Sequence, residues 1–186
     1  MKIYPSPDDI QRMKEYGYDR STIADAEETL SLWQEMKDIQ TQIQDAFVGV
    51  VLGDGVGLWQ AQGLDDYKSL AECLVLRERD EKLDWSKISA EDLNICNSSL
   101  SFFDAKGMQF HLPAFLIADL KGEWMFNLTF HLCEASDRNQ RFALLNDAQR
   151  EAVKAYLYWI AADQDYSFYQ DSIVKNLVDG YWASPI

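Results

Sequence analysis

The residues best placed to do chemistry lie in one short stretch, Arg77-Glu78-Arg79-Asp80-Glu81-Lys82-Leu83-Asp84-Trp85. Asp80 and Asp84 are one helical turn apart and could clamp Arg77 or a ligand cation. A carboxylate pair can also carry acid and base steps, as in glycoside hydrolysis. Joined by Asp104 and His111, these residues define a candidate pocket: Arg77, Asp80, Asp84, Asp104 and His111. The competing reading is a solvated helix end laced with ion pairs, each worth little. That reading also allows a structural ion-pair network of Arg77, Asp80 and Asp84 beside a buried Trp85.

Other chemistry is poorly supported. The chain has two histidines, His111 and His131, twenty residues apart. That is not a zinc-ligand spacing, and no G-x-S-x-G accompanies them. No catalytic residue, metal site or cofactor is therefore assigned, and His111 is read as a structural histidine. The glycines Gly53, Gly55 and Gly57 follow an apolar run, but they are spaced G-x-G-x-G. A dinucleotide turn needs G-x-G-x-x-G, there is no P-loop lysine, and Asp54 would repel a phosphate. A structural turn is expected, with positive φ at Gly53, Gly55 or both.

Charge narrows the range of partners. Aspartate and glutamate number 31 against 17 lysine and arginine, a net charge of -14 on 186 residues. Phosphate backbones and anionic lipid headgroups repel such a chain, so neither nucleic acid nor membrane is an expected partner. A basic protein is. The acids that could meet one are Glu27, Glu28, Glu35 and Asp38 on a long helix, or Asp163, Asp165 and Asp171 near a C-terminal turn. The second cluster is favoured because Phe168 falls off the apolar stripe of Tyr166, Tyr169 and Ile173, and an exposed aromatic anchors an interface better than charge alone.

The elements that position these residues read as mostly helical. Ser6-Pro7-Asp8-Asp9 opens a short helix that Gly17 ends. Ile23, Ala26, Leu30, Trp33, Met36, Ile39, Ile43, Phe47 and Val50 form one apolar stripe. Ser69-x-x-Glu72, Ser89-x-x-Asp92 and Asn146-x-x-Gln149 are helix starts. Leu100–Phe103, Asp104–Gly107 and Met108–Leu112 read as a hairpin, with Gly107 in a left-handed position and Pro113 opening a helix. Residues 123–133 alternate with period two and read as a strand, with a helix as the alternative. The fold class expected is α+β: a helix-dominated single domain, residues 1–186, with a small antiparallel sheet or hairpin near 100–133. Residues 1–44 form its N-terminal helical part and 161–186 its C-terminal helix.

Cys73, Cys96 and Cys133 make no C-x-x-C pair and are expected to be buried thiols. The N-terminus lacks an apolar signal core, and the longest apolar runs, such as Phe47–Leu52, are too short to span a bilayer. A cytoplasmic chain is expected.

Four blocks occur in a familiar order: LGDGVGLWQAQGLDDY at 52–67, RERDEKLDWSKI at 77–88, LSFFDAKGMQFHLPAFL at 100–116 and RFALLNDAQREAVKAYL at 141–157. Together they resemble a family of small bacterial proteins known only as a domain of unknown function. The resemblance covers roughly residues 45–160, which it marks as the family-like core, and places Arg77, Asp80, Glu81, Asp84, Trp85, Asp104, Gly107, Pro113 and Ala114 on the pattern. It implies a shared fold and no mechanism. The functional expectation is an acidic protein-interaction module: an immunity protein that binds and neutralises a basic bacterial toxin. The alternatives are a hydrolase using Asp80, Asp84, Asp104 and His111, or a regulatory accessory protein.

Overall fold

A computed structural model describes residues 4–183. The described residues divide into two compact units at Thr41/Gln42. In the first, α1 (Pro7–Glu15) is closed by a capping box of Ser6 and Asp9. Gly17 takes a positive φ of 70° and reverses the chain. Helix α2 (Arg20–Ala46) starts where the Asp19 carboxylate accepts the Thr22 N–H at 3.0 Å. Along α2, Met36 and Ile39 are buried, while Glu27, Glu28, Glu35 and Asp38 are all exposed.

The second unit contains α3 (Leu58–Asp65), α4 (Leu70–Arg77), α5 (Ala90–Ile95), α6 (Ala105–Leu120), α7 (Arg138–Arg141), α8 (Asp147–Ala162) and α9 (Gln170–Val178), joined by short 3-10 turns. The helix starts expected at Ser69, Ser89 and Asn146 are all present, each with its side chain accepting the third N–H. No strand occurs among the described residues. The fold is all-α, which overturns the expected α+β class, the hairpin and the sheet near 100–133.

Both errors have a physical cause. Asp104 is not a hairpin turn residue but the N-cap of α6, its carboxylate accepting the Gly107 N–H at 2.8 Å. Gly107 keeps an ordinary helical φ rather than the left-handed one expected. Upstream, Ser99–Ser101 is a 3-10 turn, and Arg141 takes the Leu100 and Ser101 carbonyls at 2.7 and 3.0 Å. Those acceptors therefore have no part in a ladder. Helix α6 runs straight through Pro113, and eleven of its sixteen residues are buried. A helix apolar on every side shows no amphipathic period, so its pattern is ambiguous between helix and strand. Of the apolar residues that suggested a strand in 123–133, Trp124, Leu128 and Leu132 are buried, whereas Phe126 and Phe130 are about half exposed. The true spacing is four, and the segment is a loop leading into a single π-turn at Phe130–Glu134.

The core of the second unit sits around α6 and α8. Val153, Tyr156, Leu157 and Ile160 of α8 are buried, as are Ile173 and Leu177 of α9. Trp182 closes the unit with no solvent exposure, donating its indole N–H to the Leu132 carbonyl at 2.8 Å. A fully buried aromatic side chain of this kind contributes about 1.5–3 kcal/mol by transfer alone.

Candidate functional site

The glycine turn leads from α2 toward α3. Gly53 has φ of 58°, whereas Gly55 does not take a positive φ. Gly55 is required for space instead: a Cβ there would lie 2.6 Å from the Lys106 Cβ and 2.7 Å from the Gly107 nitrogen. Arg77 ties the turn together. Its guanidinium donates to the Gly53 carbonyl at 2.8 Å, to Gln60 Oε1 at 2.8 Å and to the Gly55 carbonyl. Lys106 pairs with Asp54 above it.

The expected Arg77–Asp80–Asp84 ion-pair network does not form. Arg77 spends its donors on carbonyl and amide oxygens. Asp84 instead caps the 3-10 turn Trp85–Lys87 through the Ser86 N–H at 3.1 Å and pairs with Lys87 at 3.4 Å. Glu81 Oε1 accepts the N–H groups of Lys82, Leu83 and Asp84 at 2.8–3.1 Å, bonds that hold its carboxyl below the usual range. Trp85 is buried as expected and donates its indole N–H to the Phe47 carbonyl at 2.9 Å.

Asp80 is the unusual member of the block. It is 7% exposed, and its Oδ1 accepts the Trp59 N–H at 2.6 Å, so it caps α3 from 21 residues away. Gly57 makes this approach feasible, since a Cβ there would fall 1.8 Å from Asp80 Oδ2. Oδ2 takes no hydrogen bond from the protein. Burial raises the carboxyl to about 6, against the lowering effect of the Trp59 and Gln60 N–H groups.

Asp104 and His111 are occupied by the same architecture. Asp104 Oδ1 accepts two N–H groups, Gly107 at 2.8 Å and Val56 at 2.9 Å, and so joins α6 to the glycine turn. His111 is fully buried and stacks on Phe103 with ring centroids 4.4 Å apart. Its Nδ1 lies 2.7 Å from the Gly107 carbonyl, which assigns the proton to that nitrogen. Burial lowers its pKa to about 4 and keeps the ring neutral.

A cleft of about 260 Å³ opens beside Asp80. Charges of both signs line it: Asp80, Glu81 and Asp92 with Arg79 and Lys87, next to the Trp59 ring. Arg79 lies on that ring, its guanidinium carbon 3.6 Å from the centroid. Of the five residues expected to form a pocket, Asp80 lines this cleft, and Arg77, Asp84, Asp104 and His111 do not. Trp59, Lys87 and Asp92 were not singled out from the sequence. Their only local signals are the start of α3 at Leu58, one residue before Trp59, and the Ser89 box that uses Asp92.

The acidic aromatic surface lies elsewhere. The 3-10 turn Gln164–Tyr169 starts with Asp163 accepting the Asp165 N–H at 2.9 Å. Phe168 is 88% exposed, and Asp165 and Asp171 are exposed with it. None of Asp163, Asp165 and Asp171 is ion-paired among the described residues. The turn is anchored by Tyr166, whose hydroxyl donates to Asp119 Oδ2 at 2.6 Å, the same oxygen that accepts the Tyr156 hydroxyl at 2.6 Å. On α2, Glu27 pairs with Lys14 at 2.6 Å.

All three cysteines are buried and unpaired, and burial pushes Cys96 and Cys133 up to about 12. Among the described residues no group of three or more His, Cys, Asp or Glu is placed to hold a metal, and no helix is long and apolar enough to cross a membrane.

No curated protein and no solved structure matches this chain. The family expectation is met over more of the chain than the four blocks covered, reaching into α2 on one side and through α9 on the other. With residues 35–186 matched, the chain belongs to the family of unknown function DUF6714.

Proposed function

We propose that this protein is an acidic interaction module that binds a basic protein partner, the partner class being a bacterial toxin that it neutralises. The observation that carries the reading is Phe168. It stands 88% exposed on a turn flanked in sequence by Asp163, Asp165 and Asp171, none of them ion-paired among the described residues. An exposed aromatic anchor among acids suits a basic surface, with the anchor supplying affinity and the acids steering the encounter. The net charge of -14 extends that attraction over the whole molecule. The acids of α2, Glu27, Glu28, Glu35 and Asp38, form a second exposed face of the same sign. A hydrolase built on Asp80, Asp84, Asp104 and His111 has less support, because Asp84, Asp104 and His111 each serve a backbone contact away from the cleft.

The test is co-expression with the toxin encoded beside the gene. Wild type should protect. Phe168→Ala and an Asp163/Asp165/Asp171 charge reversal should protect less, and association should slow on the order of tenfold between low and physiological salt. Full protection by both variants rules out this face. The absence of any neighbour against which the chain protects removes the immunity reading.

A further inference from the structure

Helix α4 is apolar on two sides. Its inner side meets α3, where Cys73 is buried and Gly63 lies so close that a Cβ there would fall 2.6 Å from Leu76 Cδ1. The opposite side carries Leu70, Leu74 and Val75, exposed by 73%, 51% and 70%, with exposed Ala71 between them. These positions recur at spacings of three and four, so they form one apolar stripe facing solvent. Glu72 is the only charge in the run Leu70–Leu76, and it turns aside to the helix cap. Its Oε2 accepts the Ser69 N–H at 2.9 Å and the Ser69 hydroxyl at 2.6 Å. The turn into α4 carries a second signal. The Lys68 N–H reaches the Gly63 carbonyl at 3.0 Å and the Tyr67 N–H reaches the Leu64 carbonyl at 3.2 Å, a closure that puts residue 67 in the left-handed region, with φ of 56°. Glycine fits that position without strain. Tyrosine stands there instead, 97% exposed. Its ring adds nothing to the core, and a strained backbone holds it in water beside the stripe.

We infer that this face joins two copies of the chain, α4 of one lying antiparallel on α4 of the other about a twofold axis. The stripe complements itself in that arrangement. With the axis between positions 72 and 73, Leu70 of each copy meets Val75 of the other, and Ala71 meets Leu74, a small side chain under a large one. The ends match as well: Lys68 at the start of one stripe faces Glu78 at the end of the other. Lys68 has no ion pair among the described residues, and Glu78 reaches Lys82 only at 3.9 Å. A basic partner helix suits the stripe less, because Glu72 is committed to its cap and no other acid lies within the run. At about 100 Å² for each aliphatic side chain and about 200 Å² for the tyrosine, the exposed fractions of Tyr67, Leu70, Leu74 and Val75 offer on the order of 400 Å² of apolar area per copy. A standard interface uses about 800 Å² per partner, roughly two-thirds of it apolar in homodimers, so the stripe supplies most of what a modest dimer needs. The charge of -14 on each copy opposes the pairing. The attraction is apolar and the opposition electrostatic, so salt tightens this contact, the reverse of its effect on a basic partner. The inference does not rest on the Phe168 face.

The experiment is sedimentation equilibrium of the full chain from about 1 μM to 1 mM, at about 50 and 500 mM sodium chloride. A reversible dimer should appear within that range and tighten several-fold at the higher salt. Leu74→Glu places a charge on the stripe and should weaken dimerisation at least tenfold. Tyr67→Gly should weaken it too without lowering the Tm of the dilute monomer, since glycine relieves the left-handed backbone. Phe168→Ala should dimerise as wild type does. A chain that stays monomeric at every concentration overturns the inference and leaves the stripe to a different protein. A dimer that loosens with salt, that survives Leu74→Glu, or that is lost in Phe168→Ala would place the contact elsewhere and overturn it equally. A lower Tm in Tyr67→Gly would show that the ring serves the fold and would remove it from the interface.

Discussion

Asp80 caps α3 through the Trp59 N–H at 2.6 Å, while its chain neighbour Arg79 lies on the Trp59 ring at 3.6 Å. One residue of α3 is thereby held by backbone and by side chain from two consecutive positions. The cap is buried and its carboxyl is raised, so the helix start, the cleft and the local titration share one group.

That titration sets a pH dependence. Folded Asp80 keeps its proton up to about 6, whereas the unfolded carboxyl loses it near 3.8. Its contribution to stability is therefore complete below the unfolded value and is lost as pH rises through about 6. Asp80→Asn removes this titration and retains an oxygen acceptor. Urea denaturation should show wild type gaining about 1–3 kcal/mol relative to Asp80→Asn as the pH is lowered from neutral toward 4. Parallel pH profiles for the two proteins would sink the assignment.

Gly53 and Gly55 should respond differently to substitution. Gly53 has φ of 58° with open space around its Cβ position, so Gly53→Ala should cost about 1–2 kcal/mol from backbone conformation alone. Gly55 has no positive φ but would drive a Cβ into Lys106 and the backbone of Gly107. Gly55→Val should cost about 3 kcal/mol or more, since that backbone belongs to the first turn of α6 and cannot move freely. Equal losses at the two sites, read from denaturation midpoints, would contradict this distinction.

Asp104 serves two segments with one oxygen, so its replacement removes more than a helix cap. Asp104→Ala should lower stability by about 2 kcal/mol, and Asp104→Asn, which keeps an acceptor, should recover most of it. Hydrogen exchange at Val56 and Gly107 should rise together in the alanine variant. Faster exchange at Gly107 alone would show that the glycine turn does not depend on this carboxylate.

Tyr166→Phe tests whether the Phe168 turn must be held in place. The substitution deletes one hydroxyl from Asp119 while Tyr156 continues to donate. Stability should fall by about 1 kcal/mol. If the proposed toxin binding holds, protection should fall as well, through a faster dissociation rate, because a loosened turn presents its anchor less rigidly. An unchanged dissociation rate alongside the stability loss would make the tether purely structural.

The sequence alone determined what depends on near neighbours and on composition. Ser6, Ser69, Ser89 and Asn146 each precede an acid or amide by three residues, and each caps a helix, because the capping bond closes within one turn. The excess of acid, the buried thiols, the burial of Trp85 and the exposure of Phe168 were legible for the same reason: charge, hydrophobicity and helical phase are local properties. Tertiary structure decided the rest. A helix buried on all sides has no amphipathic period, so the identity of α6 came from packing, and with it the loss of the hairpin. Apart from the local Asp104–Gly107 cap, the partners of Arg77, Asp80 and Asp104 lie 17 to 48 residues away and are mostly backbone groups, which carry no residue-type signal. Asp80 meeting Trp59 rather than Arg77 depends on how closely α3 approaches the end of α4, a distance set by the missing Cβ of Gly57 and by no pattern along the chain.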